Sequence, residues 1–314
     1  MKPTLVVAGS LNMDFVVSVE HLPAPGETVI GQNFQMIPGG KGANQACAAG
    51  RLGGDSVRVK MIGRVGYDVF ADHLKASLSA AGVDVTAVHA TRAQPTGVAL
   101  IWVDRQGQNS IVVASGANQE LAAADVEAMR KSLRGAAIAL FQLETPLDTV
   151  EAALKVASEE GAITVLDPAP AQRLPLGLLA AVDILTPNES EALLLCGRSP
   201  ARVSLGEAPE LAEYLRRLGP RTVIVKLGEQ GCFLLNDAGS RHFPGYAVEV
   251  RDTTAAGDTF NAALAVALAE GRAIEEAIPF ANAAAAISVT RLGAQASAPS
   301  RAEVEEFLAT DGHR

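Results

Sequence analysis

"AIALFQLETPLDTVEAALKVASEEGAITVLD" occupies residues 137–167, and its reading decides the fold. Two short apolar runs, 137–142 and 162–167, flank a stretch at 146–159 with helical periodicity. Continuous apolar runs of that length predict strands buried on both faces, and Pro146 is suited to open the helix between them. Strand, helix, strand in this order is the unit of a parallel sheet.

The pattern repeats outward in both directions. "TLVVAG" (4–9), "VKMIG" (59–63), "VDILT" (182–186) and "TVIVKLG" (222–228) read as further buried parallel strands. Helix-like stretches fall at 41–53, 68–81, 122–133, 188–195 and 207–217, and the chain from 256 is mostly helical, at 256–270, 273–290 and 301–309. The expected fold is α/β: a single domain over 1–314 with a doubly wound, mostly parallel sheet and helices on both faces. Ligands of such sheets sit at the carboxyl ends of the strands.

Two segments break the alternation. Residues 15–37 alternate with period two around a Pro/Gly turn, and 96–114 form a hairpin pattern around Asp104-Arg105-Gln106-Gly107. They predict a small β-sheet inserted into the α/β domain. Such a sheet cannot bury itself well alone, so it covers the active site as a lid or packs on a second copy in a dimer. Trp102 reads equally as an interface anchor or as a lid-packing residue.

Composition narrows the class. An apolar fraction of 48% supports a large core, and a net charge of −9 argues against nucleic acid held by counterion release. Cys47, Cys196 and Cys232 are odd in number and widely spaced, which suits free buried thiols in a reducing compartment rather than disulfides or zinc. The start "MKPTLVVAGSLNMDF" reads as a strand and polar turn rather than a signal peptide, and no stretch reaches the roughly 18 apolar residues of a membrane span. The expected location is cytoplasmic.

No G-x-x-x-x-G-K-[ST], no strand-linked G-x-G-x-x-G and no protein-kinase signature occurs. Other motifs must carry the chemistry. "DTTAAGDTF" (252–260) has two carboxylates around a Gly, directly before a long apolar helix. Amides of Ala255, Ala256 and Gly257 at a helix N-terminus would cradle an anion, as phosphoryl transfer needs. Asp258, in the first turn where its ionised form is favoured, would accept a hydroxyl proton. In "PGGKGANQACAAG" (38–50), Gly39-Gly40 would allow close backbone approach, with Lys41 and Asn44 facing sugar hydroxyls; a plain Gly-rich turn is the alternative. "GSLNMD" (9–14) ends the first strand with Asn12 and Asp14, either sugar ligands or an Asx turn. Glu144 in "FQLETP" faces the same pocket or caps the next helix. In "TPNESEA" (186–192), Asn188 and Glu191 form a capping box or hold a hydrated Mg²⁺. "VKLGEQG" (225–231) is a hairpin turn or a loop passing a nucleotide, and "RLGAQAS" (291–297) is a surface loop or a carbonyl-rich cation site.

Together, "GSLNMD", "GGKGANQA", "QLE", "TPNESEA", "DTTAAGDTF" and "GAQAS" resemble the ribokinase/PfkB-type sugar kinase family, in order and spacing over nearly the whole chain. The motifs look closer to its ribokinases than to its fructokinases, adenosine kinases or ketodeoxygluconate kinases. The resemblance implies transfer of the ATP γ-phosphoryl group to the 5-hydroxyl of D-ribose, with Asp258 as base and Ala255, Ala256 and Gly257 as anion hole. It implies ribose binding by Asn12, Asp14, Gly40, Lys41, Asn44 and Glu144, and ATP binding by Asn188, Lys226, Gly228, Gly231, Gly257 and Asn282. It also implies Mg²⁺ placed through water by Asn188 and Glu191, and K⁺ near Asp252, Thr254, Ser288, Arg291, Gly293 and Ser297. A homodimer through the β-lid completes the expectation.

Overall fold

The computed structural model describes residues 2–122, 125–175 and 177–311. In chain order the strands are β1 (Thr4–Ala8), β2 (Asn12–Ser18), β3 (Gln32–Gly39), β4 (Arg58–Gly66), β5 (Val83–Thr91), β6 (Gly97–Val103) and β7 (Asn109–Ala114). They continue as β8 (Ile138–Phe141), β9 (Ile163–Leu166), β10 (Ile184–Leu185), β11 (Thr222–Lys226), β12 (Cys232–Asn236) and β13 (Gly239–Phe243). The helices are α1 (Lys41–Gly53), α2 (Val69–Ala80), α3 (Val126–Leu133), α4 (Leu147–Glu159), α5 (Glu189–Leu195), α6 (Ala208–Arg217), α7 (Ala256–Ala269), α8 (Ile274–Ser288), α9 (Ala294–Ser297) and α10 (Arg301–Asp311).

Among the described residues the main sheet has nine strands in the order β13-β12-β11-β10-β9-β8-β1-β4-β5. The unit that opened the reading is present as β8–α4–β9, with β8 and β9 parallel and Ile138 opposite Ile163. Each of the six strands expected from the sequence pairs in parallel with its neighbours in the set. β5 adds a parallel edge, and β12 and β13 an antiparallel one. β5 escapes a search for apolar runs because only Val83 and Val88 are buried and its other residues are partly buried or exposed, as an edge strand's are. Residues 123–124 of the expected helix 122–133 lie outside the described residues.

Period-two side-chain alternation divides the core in two. Leu5 and Val7 of β1 join the cluster under α1, α2, α7 and α8, while Val6 and Ala8 join the cluster under α3, α4, α5 and α6. Full burial of such side chains contributes roughly 1.5–3 kcal/mol each. Ala262, Ala263, Ala265, Ala281, Ala283 and Ala284 are wholly buried where α7 and α8 meet, so those helices pack with little side chain between them.

The second, four-stranded sheet has the order β3-β2-β6-β7, with β2 and β6 parallel and the other pairs antiparallel. One face touches the main body, where Phe15 meets Phe70 of α2 edge-on at 5.6 Å. Apolar side chains stay open on both faces: Phe34, stacked on Phe15 at 5.9 Å, and Val112 (53% exposed) share the face of Phe15, and Ile111 (52%) lies on the opposite one. The first strand ends earlier than expected: β1 stops at Ala8, and Asn12 and Asp14 open β2 in the small sheet. These two candidate ligands therefore belong to the small sheet, whereas Lys41, Asn44 and Asp258 stand on helices.

Candidate active site

The turn into α1 is built by backbone proximity. Gly40 has φ +88°, and a side chain at Gly39 would place its Cβ 2.1 Å from Asp14 Oδ2. Only glycine lets this turn lie against β2. Glu144 does not cap α4, whose N-cap is Pro146. Its Oε2 instead accepts the Ser10 hydroxyl at 2.5 Å and the Lys41 amide at 3.0 Å, tying three distant segments together. Asn118, within a short 3-10 turn, donates from Nδ2 to Asn12 Oδ1 at 2.7 Å and accepts the Leu11 amide at 2.9 Å. Asn12, Asn118, Ser115, Glu144 and Gln172 border a cavity of about 260 Å³.

Asp258 lies buried in the first turn of α7. Its Oδ2 accepts Asn44 Nδ2 at 3.1 Å and its Oδ1 accepts Gln45 Nε2 at 2.9 Å. Helix-terminal position predicts a readily ionised carboxyl, but burial outweighs it. Desolvation pushes Asp258 up to about 6, against the opposing pull of Lys41, with Asp167 adding to the rise. Asp14 is pushed up to about 7, first by burial and then by Glu144 and Asp258. For Lys41, burial would lower the ammonium, but Asp258, Asp167, Glu144 and Glu191 together raise it. Asn44 Oδ1 is buried without a partner among the described residues, an acceptor open to a ligand's hydroxyl.

The segment before α7 is strained: Ala255 adopts φ +58°, a left-handed conformation costly for a residue with a Cβ. Of the three cradle amides, Ala256 N donates to Thr253 O at 3.3 Å, whereas Ala255 N and Gly257 N make no hydrogen bond among the described residues. Asp252 stands apart from the acid–base group. Its Oδ1 accepts the Thr254 amide and its Oδ2 the Gly293 amide, both at 2.9 Å. Arg251 N and Asp252 N both donate to Val289 O, so this loop is pinned to the end of α8. Ser288 and Ser297 turn their hydroxyls onto their own helices' carbonyls, and Arg291 pairs with Glu303. Any cation here would be held largely by backbone carbonyls.

On the other side, Asn188 and Glu191 form the complete capping box of α5, with Asn188 Nδ2 also donating to Glu191 Oε1 at 2.9 Å. Each Glu191 oxygen keeps lone-pair capacity for water, so the pair fits a hydrated cation rather than direct ligation. "VKLGEQG" forms the β11–β12 hairpin. Gly231 is needed there because a Cβ would stand 2.2 Å from Phe243 O, whereas Gly228 faces open space. Lys226 pairs with Asp167 at 2.9 Å. Asn282 donates to Pro244 O at 3.1 Å beside a cavity of about 230 Å³ bordered by Phe243, Tyr246 and Pro279.

Sequence reading missed Ser10, Gln45, Asn118 and Asp167. Ser10 and Gln45 stand inside the motifs "GSLNMD" and "GGKGANQA", and Asp167 ends the strand run 162–167. Asn118 gives no local signal, because its partners lie more than 100 positions away.

Residues 2–301 match the pfkB family carbohydrate kinase, and the chain belongs to that family. Within it, the chain is 44% identical to a Haemophilus influenzae ribokinase over 98% of this chain and 99% of the other. It also resembles the crystal structure of a Thermotoga maritima ribokinase, with TM-score 0.89 and 40% identity over 98% of this chain and 100% of that one. The Arabidopsis thaliana ribokinase complexed with ribose and ATP gives TM-score 0.89 and 35% identity over 98% of this chain and 99% of that one.

Proposed function

We propose that this chain transfers the γ-phosphoryl group of ATP to the 5-hydroxyl of D-ribose, giving D-ribose 5-phosphate and ADP. The observation that carries the reading is Asp258: a buried carboxylate held by two amide donors, beside a Gly257 N–H that has no partner among the described residues. The sugar hydroxyl gives its proton to Asp258 as its oxygen bonds to the γ-phosphorus. The bond from that phosphorus to the bridging oxygen breaks, and ADP leaves with the electron pair. The Ala255 and Gly257 amides meet the charge that develops on the phosphoryl oxygens.

Asn12, Asp14, Gly40, Lys41, Asn44 and Glu144 form the ribose site in this reading, supported by the hydrogen bonds that fix Asn12 and Glu144 at the edge of the cavity. Lys226 and Gly257 serve the phosphates, and the cavity beside Asn282 takes the adenine, with Gly228 and Gly231 shaping the hairpin next to it. Asn188 and Glu191 hold Mg²⁺ through water, which neutralises phosphate charge. The pinned loop of Asp252 and Thr254, with carbonyls of Ser288, Arg291, Gly293 and Ser297, holds K⁺. The small sheet is a lid carried by 15–37 and 96–114 on the single catalytic domain. Open apolar side chains on its Phe15 face pair two copies as a homodimer, supported by the exposure of Phe34, Met36 and Val112. A reducing cytoplasm suits the three free thiols, and among the described residues no helix is long and apolar enough to cross a membrane.

A panel of ribose, deoxyribose, fructose and nucleosides with ATP tests the substrate. Ribose is expected to turn over fastest, and negligible ribose turnover beside rapid nucleoside turnover would overturn the reading. Equal rates in Na⁺-only and K⁺ buffer would remove the monovalent site.

A further inference from the structure

Asp167 follows β9 directly and is 2% exposed, yet none of the roles above uses it. Its Oδ1 accepts Lys226 Nζ at 2.9 Å, and its Oδ2 accepts Gln45 Nε2 at 2.9 Å. The same Gln45 nitrogen donates to Asp258 Oδ1 at 2.9 Å. Gln45 is fully buried, and its Oε1 accepts Gln142 Nε2 at 2.5 Å, which turns the amide nitrogen toward the two carboxylates. Lys226 Nζ lies 3.3 Å from the point where a Cβ on Gly257 would stand, so its ammonium sits at the phosphate cradle.

A second buried carboxylate this close to the base is costly, and an apolar pair in place of Asp167 and Lys226 would be cheaper to bury. The chain keeps the charges, and their arrangement has a chemical use. An ammonium paired directly with Asp258 would stabilise its ionised form and weaken it as a proton acceptor. Asp167 takes that ammonium as its own partner and leaves it facing the phosphates.

We propose that Asp167 and Gln45 are positioning residues for phosphoryl transfer: Asp167 holds the Lys226 ammonium at the Gly257 cradle with one oxygen and, through the Gln45 amide, fixes the Asp258 carboxylate with the other. The inference rests on Asp258 being the base. The charged groups around Asp258 are Lys41 of α1, Asp14 of β2, Asp167 after β9 and Lys226 of β11; Glu144 and Glu191 act on Lys41. The Asp167 charge raises Asp258, and the Gln45 hydrogen bond lowers it.

The two links therefore give opposite signs, which mere structural damage does not. With sugar and ATP saturating, the acidic limb of kcat is expected to move down by roughly one pH unit in Asp167→Asn and upward in Gln45→Met. Ribose KM should stay within a few-fold in both. A limb that stays in place in Asp167→Asn overturns the proposal; if that variant does not fold, a limb that stays in place in Gln45→Met overturns it. Asp258→Asn separates the two readings. If it remains active, the base assignment fails. If it is inactive while the limb does not move, only the positioning role fails.

Discussion

The two ends of the cleft are made differently. At the end assigned to the sugar, polar groups from four distant segments bind each other: Ser10 to Glu144, Glu144 to the Lys41 amide, Asn118 to Asn12. At the end assigned to the adenine, the wall is mainly the rings of Phe243, Pro244, Tyr246 and Pro279, with Arg241 and Glu275 beside them, and Asn282 is held by a carbonyl, Pro244 O. A small polyol offers only directional hydroxyls, so its site must be fixed before it arrives. A flat base can be held by surface, which tolerates change. Variants at the sugar end should therefore cost much more than variants at the adenine end.

The largest effect is expected where the network meets the chemistry. Asp258→Asn should lower kcat roughly a thousand-fold while isothermal titration still detects ribose. Gly39→Ala drives a methyl into Asp14 and should raise ribose KM tenfold or more, about 1.4 kcal/mol, with the ATP constant little changed. Asn118→Leu leaves the Leu11 amide unpaired in the core; a loss of about 1–3 kcal/mol should appear as weaker ribose binding and a lower melting temperature.

A stability test of the same contrast follows from Asp14. Its carboxyl is raised in the fold, so the stability it adds is complete below its unfolded value of 3.8 and is lost as pH rises through about 7. Asp14→Asn should raise the melting temperature of the ligand-free protein at pH 8 by a few degrees and leave it nearly unchanged at pH 4. The smallest effect is expected from Asn282→Ala: a few-fold rise in the ATP KM with ribose KM unchanged. An equal or larger loss there than at Gly39 would break the comparison.

What could be read from the sequence follows the same division. The parallel strands and covering helices were legible because burial on both faces leaves unbroken apolar runs such as "TLVVAG". β5 and β13 were not, because edge strands mix exposed positions into the run. In the site, "GGKGANQA" and "AAGDTF" were legible as glycine-bearing turns before helices. The state of Asp258 was not, since helix position argues for easy ionisation and only the packed structure shows the burial that reverses it. Nor could Glu144 be separated from a helix cap until Ser10 and Lys41 were seen to hold it.

One consequence lies in the short link between the sheets. β1 ends at Ala8 and β2 begins at Asn12, so residues 9–11 alone join the strand that anchors the core to the strand that carries Asn12 and Asp14. That link is fastened to both sides: Gly9 N to Ile62 O, Ser10 O to Ala43 N, Leu11 N to Asn118. For anyone retooling this scaffold to accept another sugar, those three positions are a tilt adjustment. Variation there would re-aim both ligands together without altering either one.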